Sequence, residues 1–146
     1  MRYMLYESKD EKVSLEKEVE YLKNYIELQR LRISDKVIIN FGIEGNPANY
    51  FIEPMLLIPF VENAFKHGIS YVDDSRIEIS LKVGENSIHF TVENYIVRKN
   101  DETITVESGI GLKNVIRRLE LLYPGKYEIS INDDRVKYFV DLKISL

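Results

Sequence analysis

The sequence predicts an α+β fold in which helices cover one face of a β-sheet in a two-layer sandwich. Segments with apolar residues at helical spacing are interspersed with short β-branched segments along the chain. The predicted order is helix, strand, helix, two strands, loop, helix and two strands, and helices in that order can cover only one side of the sheet. The 146 residues, 45% of them hydrophobic, suffice for one domain with a real core.

The first helix is predicted to begin after Ser14, because a serine hydroxyl can cap a helix start. Acidic residues lie near its start and basic residues near its end, which matches the helix dipole. Its apolar stripe is predicted to contain Leu15, Val19, Leu22 and Ile26, widened by Tyr25, Leu28 and Leu31; the charged residues are Glu16, Glu18, Arg30 and Arg32.

The remaining elements follow from local patterns. A strand is predicted over residues 37–41, and a second helix over residues 54–67, where Pro59 implies a kink or a late start. Residues 77–83 and 88–92 alternate as a hairpin, and residues 95–108 form a long loop of the kind that is functional or disordered. Gly109 and Gly111 are expected to open a third helix that ends at Pro124. Two strands, over residues 127–131 and 138–145, complete the chain.

Composition excludes several classes of function. The chain has no cysteine, so disulfide frameworks and thiolate metal sites are excluded. The net charge of -4, with no long basic block, argues against a nucleic-acid partner. The longest apolar stretch, residues 55–61, is far shorter than the roughly 20 residues that a membrane-spanning helix needs.

The segment VENAFKHG, residues 61–68, is the first candidate site. Asn63, Lys66 and His67 share one helix face at spacings of three and four residues, while Ala64 and Phe65 can point inward. An amide, an ammonium and an imidazole at one helix end suit a polyphosphate, with the Asn63 oxygen available to Mg²⁺. The alternative is a solvated helix end whose polar face arose by chance.

Two further segments could contribute to the same site. In SGIGLKN, residues 108–114, two glycines before a helix let the backbone approach a ligand and leave N–H groups for an anion. The alternative there is a simple loop-to-helix turn. Asn94, at the end of a strand, could bond a base or could be a turn residue. His89 alternates with apolar neighbours, so it is expected on the opposite strand face and is rejected as a phosphoacceptor.

Together, three segments resemble the catalytic region of the LytS-like (YehU-like) sensor histidine kinases. Residues 54–68, PMLLIPFVENAFKHG, look like the N box of that family, and residues 109–115, GIGLKNV, continuing to Arg118, Leu119 and Tyr123, look like its second glycine box. Residues 14–32 resemble the helix that opens its catalytic region. The resemblance covers nearly the whole chain. It implies the Bergerat ATP-binding fold, a mixed sheet backed by helices, of the superfamily of gyrase, heat-shock chaperone, histidine-kinase and mismatch-repair ATPases.

The resemblance also implies roles for single residues. Asn63 would bind Mg²⁺ and phosphate, Lys66 and His67 would bind phosphates, and Glu62 would help to polarise the histidine that receives the phosphoryl group. Asn94 stands where the family has the aspartate that accepts from the adenine amino group. Gly109 and Gly111 would be the hinge of a mobile lid formed by residues 95–108, with Leu112 beside them in the ATP-binding set.

The implied function is ATP binding and transfer of the γ-phosphoryl group to a histidine outside this chain. Residues 1–13 are expected to end the helical region that dimerises and carries that histidine, and residues 14–146 to form the catalytic domain. The implied partners are the phosphoacceptor helix, a response regulator and a second copy of the full-length parent. The domain would be cytoplasmic, with its parent anchored in the bacterial inner membrane.

Two rival functions remain open at this point. Asn94-Tyr95-Ile96 replaces the Asp-x-Gly of the family pattern, which favours a degenerate module that binds no nucleotide and serves protein–protein signalling. Asn63, Lys66, Gly109 and Gly111 argue against that module. A related ATPase or a kinase acting on serine is the second rival, and the helix over residues 14–32 argues for the histidine kinases instead.

Overall fold

The computed structural model describes residues 12–33, 37–67, 75–95, 104–133 and 137–146. Its elements in chain order are β1 (Val13–Ser14), α1 (Leu15–Arg30), β2 (Val37–Glu44), β3 (Phe51–Ile52), α2 (Ile58–His67), β4 (Ser75–Gly84), β5 (Ser87–Tyr95), α3 (Ile104–Leu122), β6 (Tyr127–Asp133) and β7 (Lys137–Ser145). This order confirms the predicted α+β class and adds two short strands, β1 and β3, which pair with each other.

The main sheet has the order β2-β4-β5-β7-β6. Strands β2 and β4 are parallel, and every other neighbouring pair is antiparallel, so the sheet is mixed. The apolar side chains that alternate along its three central strands are buried under the helices. They are Ile77, Ile79 and Leu81 on β4, Ile88, Phe90 and Val92 on β5, and Val140, Leu142 and Ile144 on β7. The helices therefore cover one face, as the two-layer prediction requires.

Helix α1 begins where its cap predicts. Ser14 has an extended backbone, and its hydroxyl oxygen accepts a hydrogen bond from the Lys17 N–H at 3.2 Å. The predicted core residues Leu15, Val19, Leu22 and Ile26 are all buried. The extension of the stripe is wrong at its end, because Leu28 is 62% exposed and Leu31 is 83% exposed.

The Ser14 cap gives a first testable prediction. Ser14→Ala removes the acceptor for one N–H at the helix start, so the free energy of unfolding is expected to drop by about 1 kcal/mol. Ser130→Ala, on an exposed position of β6, is the matched control and should change it by less than about 0.5 kcal/mol. Urea denaturation of both variants measures the difference, and equal losses would contradict the assigned cap.

Helix α2 is the central element of the helical layer. It begins at Ile58, so Pro59 lies in the first turn, where a missing N–H costs no intrahelical bond, and the late start is confirmed. It packs on β4 and β5 and contacts both α1 and α3. The Phe60 and Phe90 rings lie 6.4 Å apart, and the Tyr25 and Phe65 rings meet edge to face at 5.7 Å.

None of the helices in the described ranges is long and apolar enough to cross a membrane.

Candidate functional site

The described parts of the predicted site lie at one edge of the sheet. Asn94 pairs with Ile77 near the end of β5, and β4 begins two residues before Ile77. Helix α2 ends at His67, and only seven residues separate it from the start of β4 at Ser75, so its C-terminal end lies toward this same edge. The parallel pairing of β2 and β4 requires a connection that returns the chain to this edge, which α2 provides. The topology therefore brings the polar end of α2 and the end of β5 together.

Helix α2 presents its polar residues as the spacing predicts. Phe60, Ala64 and Phe65 are buried, while Asn63 is half-buried and Lys66 is exposed one turn further on. The Glu62 side chain is also exposed and lies close enough to Tyr25 to add to the burial that raises the pKa of the tyrosine hydroxyl. The His67 side chain lies outside the described residues. Asn63 and Lys66 thus share an accessible face whose opposite side is buried in the core.

Asn94 is one of the few polar residues that are buried in the described part of the chain. It is only 2% exposed and faces the helical layer, continuing the alternation of Ile88, Phe90 and Val92 along β5. Its amide nitrogen donates to the Tyr95 carbonyl at 3.1 Å, which leaves its Oδ1 atom as the inward acceptor. Among the described residues, that buried oxygen has no hydrogen-bond partner. Because an unsatisfied buried acceptor is costly, it is best explained by a ligand that donates a hydrogen bond there.

The position of the second glycine motif relative to α3 differs from the prediction. Helix α3 begins at Ile104, so Gly109 and Gly111 lie inside the helix and do not open it. Glycine keeps its backbone N–H, so a helix can run through it at a cost of about 1 kcal/mol, and the predicted break was not obligatory. A Cβ atom on Gly111 would meet nothing within 4 Å, so packing does not require a glycine there. Leu112 is half-buried and packs against the core.

Part of the segment predicted to be a lid, residues 95–108, belongs to regular secondary structure. Tyr95 is the last residue of β5, and residues 104–108 are helical. Residues 96–103, between them, and the side chains of residues 104–110 lie outside the described part of the chain. The hinge role of Gly109 and Gly111 stays a prediction.

A cleft of about 240 Å³, lined by residues that include Glu93 and Lys137, lies at the same end of β5 as Asn94 but on the opposite face of the sheet. A cleft of about 320 Å³, lined by residues that include Ser87, His89 and Lys143, lies at the opposite end of β5. His89 faces away from the helices and bonds Asp141 at 2.6 Å, which agrees with its rejection as a phosphoacceptor on a helix. Residues 68–74 and 96–103, which follow α2 and β5 along the chain, lie outside the described residues.

A magnesium ion fits this site only together with a nucleotide. No cluster of three or more histidine, aspartate or glutamate residues occurs in the described ranges, so no dedicated carboxylate cage is present there. Mg²⁺ usually takes one or two protein oxygens together with phosphates and water. The Asn63 side-chain oxygen matches that requirement on the accessible face of α2.

A second buried polar group lies beside the start of α2, and the sequence patterns did not predict it. Glu18 on α1 is 4% exposed, and its carboxylate accepts from the N–H groups of Met55, Leu56 and Leu57 at 3.2, 3.1 and 3.3 Å. Arg118 on α3 donates to the carbonyl oxygens of Pro54 and Met55 at 2.8 and 3.0 Å. The sequence contains a signal for the burial of Glu18. This residue stands three residues after Leu15 and four before Leu22, so it lies within the apolar stripe of α1.

Burial and hydrogen bonding shift the pKa of the Glu18 carboxyl in opposite directions. Burial raises the pKa of the carboxyl above its usual 4.5, while the three N–H donors and the Arg118 guanidinium oppose that rise, and burial has the larger effect. The folded protein therefore holds the Glu18 proton more tightly than the unfolded chain does.

A pH dependence follows from this shift. The stability that comes from tighter proton binding by the Glu18 carboxyl is fully present below about pH 4.5. It is lost as pH rises through the pKa of this carboxyl in the folded state. Glu18→Gln cannot titrate at this position, so wild type should lose stability relative to Glu18→Gln as pH rises above about 4.5. Urea denaturation of both proteins from that pH to neutrality measures the difference. A difference that stays constant, or that moves in favour of wild type, would contradict the assigned shift.

Comparison with known proteins agrees with the geometry. A family model described as histidine kinase matches residues 1–37. The chain is 28% identical to sensor histidine kinase YpdA of Escherichia coli K12 over 132 residues. The matched region covers 84% of this chain and 23% of YpdA. It is 25% identical to sensor protein LytS of Enterococcus faecalis over 122 residues, or 76% of this chain and 21% of that protein. The predicted resemblance to LytS-like sensor histidine kinases is confirmed. The chain spans about a quarter or less of the length of these relatives.

Solved structures confirm the fold. The catalytic domain of histidine kinase ThkA superposes with a TM-score of 0.67 at 12% identity, covering 92% of this chain and 95% of that domain. ThkA in complex with its response regulator TrrA superposes with a TM-score of 0.59 at 15% identity, covering 98% of this chain and 45% of that one. The mixed sheet backed by helices is therefore the fold of histidine kinase catalytic domains.

Proposed function

We propose that this chain is the ATP-binding catalytic domain of a two-component sensor histidine kinase, a protein-histidine kinase module. It would transfer the γ-phosphoryl group of ATP to a histidine outside the chain. The single observation that carries the proposal is the buried, unpartnered acceptor of Asn94, at the same sheet edge as the polar end of α2. The fold and the similarity to sensor histidine kinases support it.

The roles of the α2 residues follow from their chemistry. The Asn63 oxygen would hold Mg²⁺, which neutralises charge on the phosphates when it is bound. Lys66 would bind a phosphate as a point charge, with His67 beside it on the sequence. Glu62, exposed next to Asn63, would polarise the incoming histidine. Phosphoryl transfer depends mainly on positioning and charge neutralisation, so these residues need not form a covalent intermediate.

Asn94 would select the base. Its amide nitrogen is engaged by the Tyr95 carbonyl, so Oδ1 faces the site as an acceptor and suits the amino group at position 6 of adenine. The oxo group of guanine at that position would place two acceptors against each other. Gly109, Gly111 and Leu112 would lie along the phosphates and the base.

The base-selection role gives a direct test of the proposal. Mg-ATP is expected to bind at least about tenfold more tightly than Mg-GTP, and Asn94→Leu should weaken Mg-ATP binding by about tenfold and remove most of that preference. Calorimetric titration of both nucleotides measures the constants. Asn132→Leu, an exposed residue of β6, is the control and should leave them unchanged. An Asn94→Leu variant that binds Mg-ATP as tightly as wild type does would refute the assigned role.

The partners belong to the full-length parent. We expect the phosphoacceptor helix of a dimeric parent to present its histidine to this domain, and a response regulator to receive the phosphoryl group next. The ThkA complex with TrrA supports a partner of the response-regulator type. Anchoring of the parent in the inner membrane, with this domain in the cytoplasm, stays a prediction, as do the domain boundary at residues 13 and 14 and the lack of a nucleic-acid partner.

A degenerate signalling module is the second candidate. It is favoured by the uncharged Asn94 in place of the family aspartate and by a helix that continues through Gly109 and Gly111. Such a module would keep the fold, bind no nucleotide and act through protein contacts. Absence of any binding of Mg-ATP or Mg-ADP at millimolar concentration would favour it over the kinase module.

A further inference from the structure

The turn formed by residues 54–57 is held on both sides by charged side chains. Three successive N–H groups of the turn, from Met55 to Leu57, point to the buried carboxylate of Glu18. Its first two carbonyl oxygens accept from the guanidinium of Arg118. Met55 has a φ of +60°, in the left-handed region, which a residue with a side chain adopts only when its surroundings enforce it.

This turn is where the three helices meet. Glu18 belongs to α1, Arg118 belongs to α3, and α2 begins at the next residue, Ile58. The Phe60 N–H bonds the Leu57 carbonyl at 3.2 Å, so the turn passes directly into the first turn of α2. A shift of α1 or α3 against α2 must therefore break hydrogen bonds at residues 54–57.

Glu18 and Arg118 are better suited to fixing the position of the turn than to stabilising the fold by burial. Two charged groups lose hydration when they are buried, and apolar residues of similar volume often stabilise a fold as well or better. What a carboxylate and a guanidinium add is direction, because each accepts or donates several hydrogen bonds in a fixed arrangement. Glu18 and Arg118 together leave the turn few alternative positions.

We infer that Glu18 and Arg118 are positioning residues that clamp the turn of residues 54–57 and thereby set the place of α2, with Asn63 and Lys66, between α1 and α3. The inference rests on the proposed function, since it assigns the clamp to the nucleotide site. The same clamp links α1 to that site, so a displacement of α1 changes the position of Asn63 and Lys66. Neither clamp residue is a ligand of the nucleotide.

The test compares two arginines that make the same kind of bond. Arg118→Met removes guanidinium bonds to the turn, whereas the control Arg30→Met removes a guanidinium bond to the Ile39 carbonyl, at 2.9 Å on edge strand β2. Glu18→Gln removes the charge from the other side of the turn. Mg-ATP affinity is measured by calorimetry on the whole chain, at a temperature where denaturant curves show each variant to be folded.

The clamp predicts a specific pattern of affinities. Arg118→Met and Glu18→Gln should raise the Kd for Mg-ATP about tenfold, because coupling residues without ligand contact shift binding by factors of roughly 2 to 30. Arg118→Lys, which keeps the charge, should recover part of the affinity and also serves if Arg118→Met fails to fold. Arg30→Met should leave the Kd within about twofold of wild type. Folded clamp variants with wild-type Kd would overturn the inference.

Amide hydrogen exchange separates this inference from the proposed function. The amides of residues 61–66 on α2 should exchange faster in the clamp variants than in Arg30→Met, with or without a nucleotide. Failure of wild type to bind Mg-ATP would refute the proposed function alone, and the exchange pattern would still decide the clamp. Equal exchange of these amides in the clamp variants and in Arg30→Met would overturn it.

Discussion

Asn63→Ala is expected to abolish detectable Mg-ATP binding by this chain and to lower phosphotransfer in the full-length parent by at least about 100-fold. The variant removes the side-chain oxygen that we assign to Mg²⁺, and no cluster of acidic or histidine ligands in the described ranges can replace it. The fold should survive, because Asn63 is only half-buried and alanine is the better helix former. The loss should therefore appear in binding and turnover while the melting temperature of the free protein stays near that of wild type.

The control for Asn63→Ala is Asn24→Ala. Asn24 lies on the exposed side of α1, so its loss should alter neither nucleotide binding nor phosphotransfer. Titration of both variants with Mg-ATP, together with labelled-phosphate transfer in the parent, gives the comparison. If Asn63→Ala binds and transfers as wild type does, Asn63 has no part in the site.

Glu18→Ala is expected to lower the free energy of unfolding by about 3 to 5 kcal/mol, the largest stability effect that we predict. The substitution leaves three N–H groups just before α2 without their acceptor. It also removes the negative charge that interacts with the Arg118 guanidinium. It also opens a cavity under the helical layer, because Glu18 is almost fully buried. Urea denaturation of wild type and Glu18→Ala at neutral pH measures the loss of unfolding free energy.

Glu16→Ala is the matched control for this variant. Glu16 stands in the same first turn of α1, but its side chain is exposed, so only a weak dipole interaction of roughly 0.5 kcal/mol is removed. Similar losses for the two glutamates would show that the hydrogen bonds of Glu18 to residues 55–57 do not stabilise the fold.

Local chemistry allowed much of the fold to be predicted. The hydroxyl of Ser14 and the ring of Pro59 act within one turn, so the starts of α1 and α2 follow from a few residues. Alternation gave the central hairpin, because β4 and β5 bury every second side chain on one face. The two-residue strands β1 and β3 were missed, since two residues carry no period that a sequence pattern can reveal.

Errors arose where tertiary context overrides local preference. Gly109 and Gly111 weaken a helix without forbidding it, so α3 runs through both and begins earlier than the motif suggested. The stripe of α1 continues to Leu31 in sequence, but the core against which it packs ends near Ile26, and Leu28 and Leu31 are exposed. Periodicity indicates which face is apolar and does not reveal how far the neighbouring elements extend.

The site was predicted in part. The face shared by Asn63 and Lys66 follows from helical spacing. The position of Asn94 at a strand end made it a candidate for bonding a base, and the family resemblance then implied that the base is adenine. The burial of Asn94 and its unpartnered oxygen depend on the packing of the sheet against helices, which spacing does not contain. The hydrogen bonds of Glu18 and Arg118 were not predicted, because their partners lie more than 35 residues away along the chain.

Thermal melting of this chain with and without Mg-ATP, Mg-ADP and Mg-GTP decides whether it binds adenine nucleotides. A nucleotide at about 100 times its Kd should stabilise the folded state by roughly 2.7 kcal/mol. We expect that stabilisation for the two adenine nucleotides, a smaller one for Mg-GTP, and none for Asn63→Ala with any of them. A melting temperature that no nucleotide changes at millimolar concentration would contradict the claim that this chain is an ATP-binding catalytic domain.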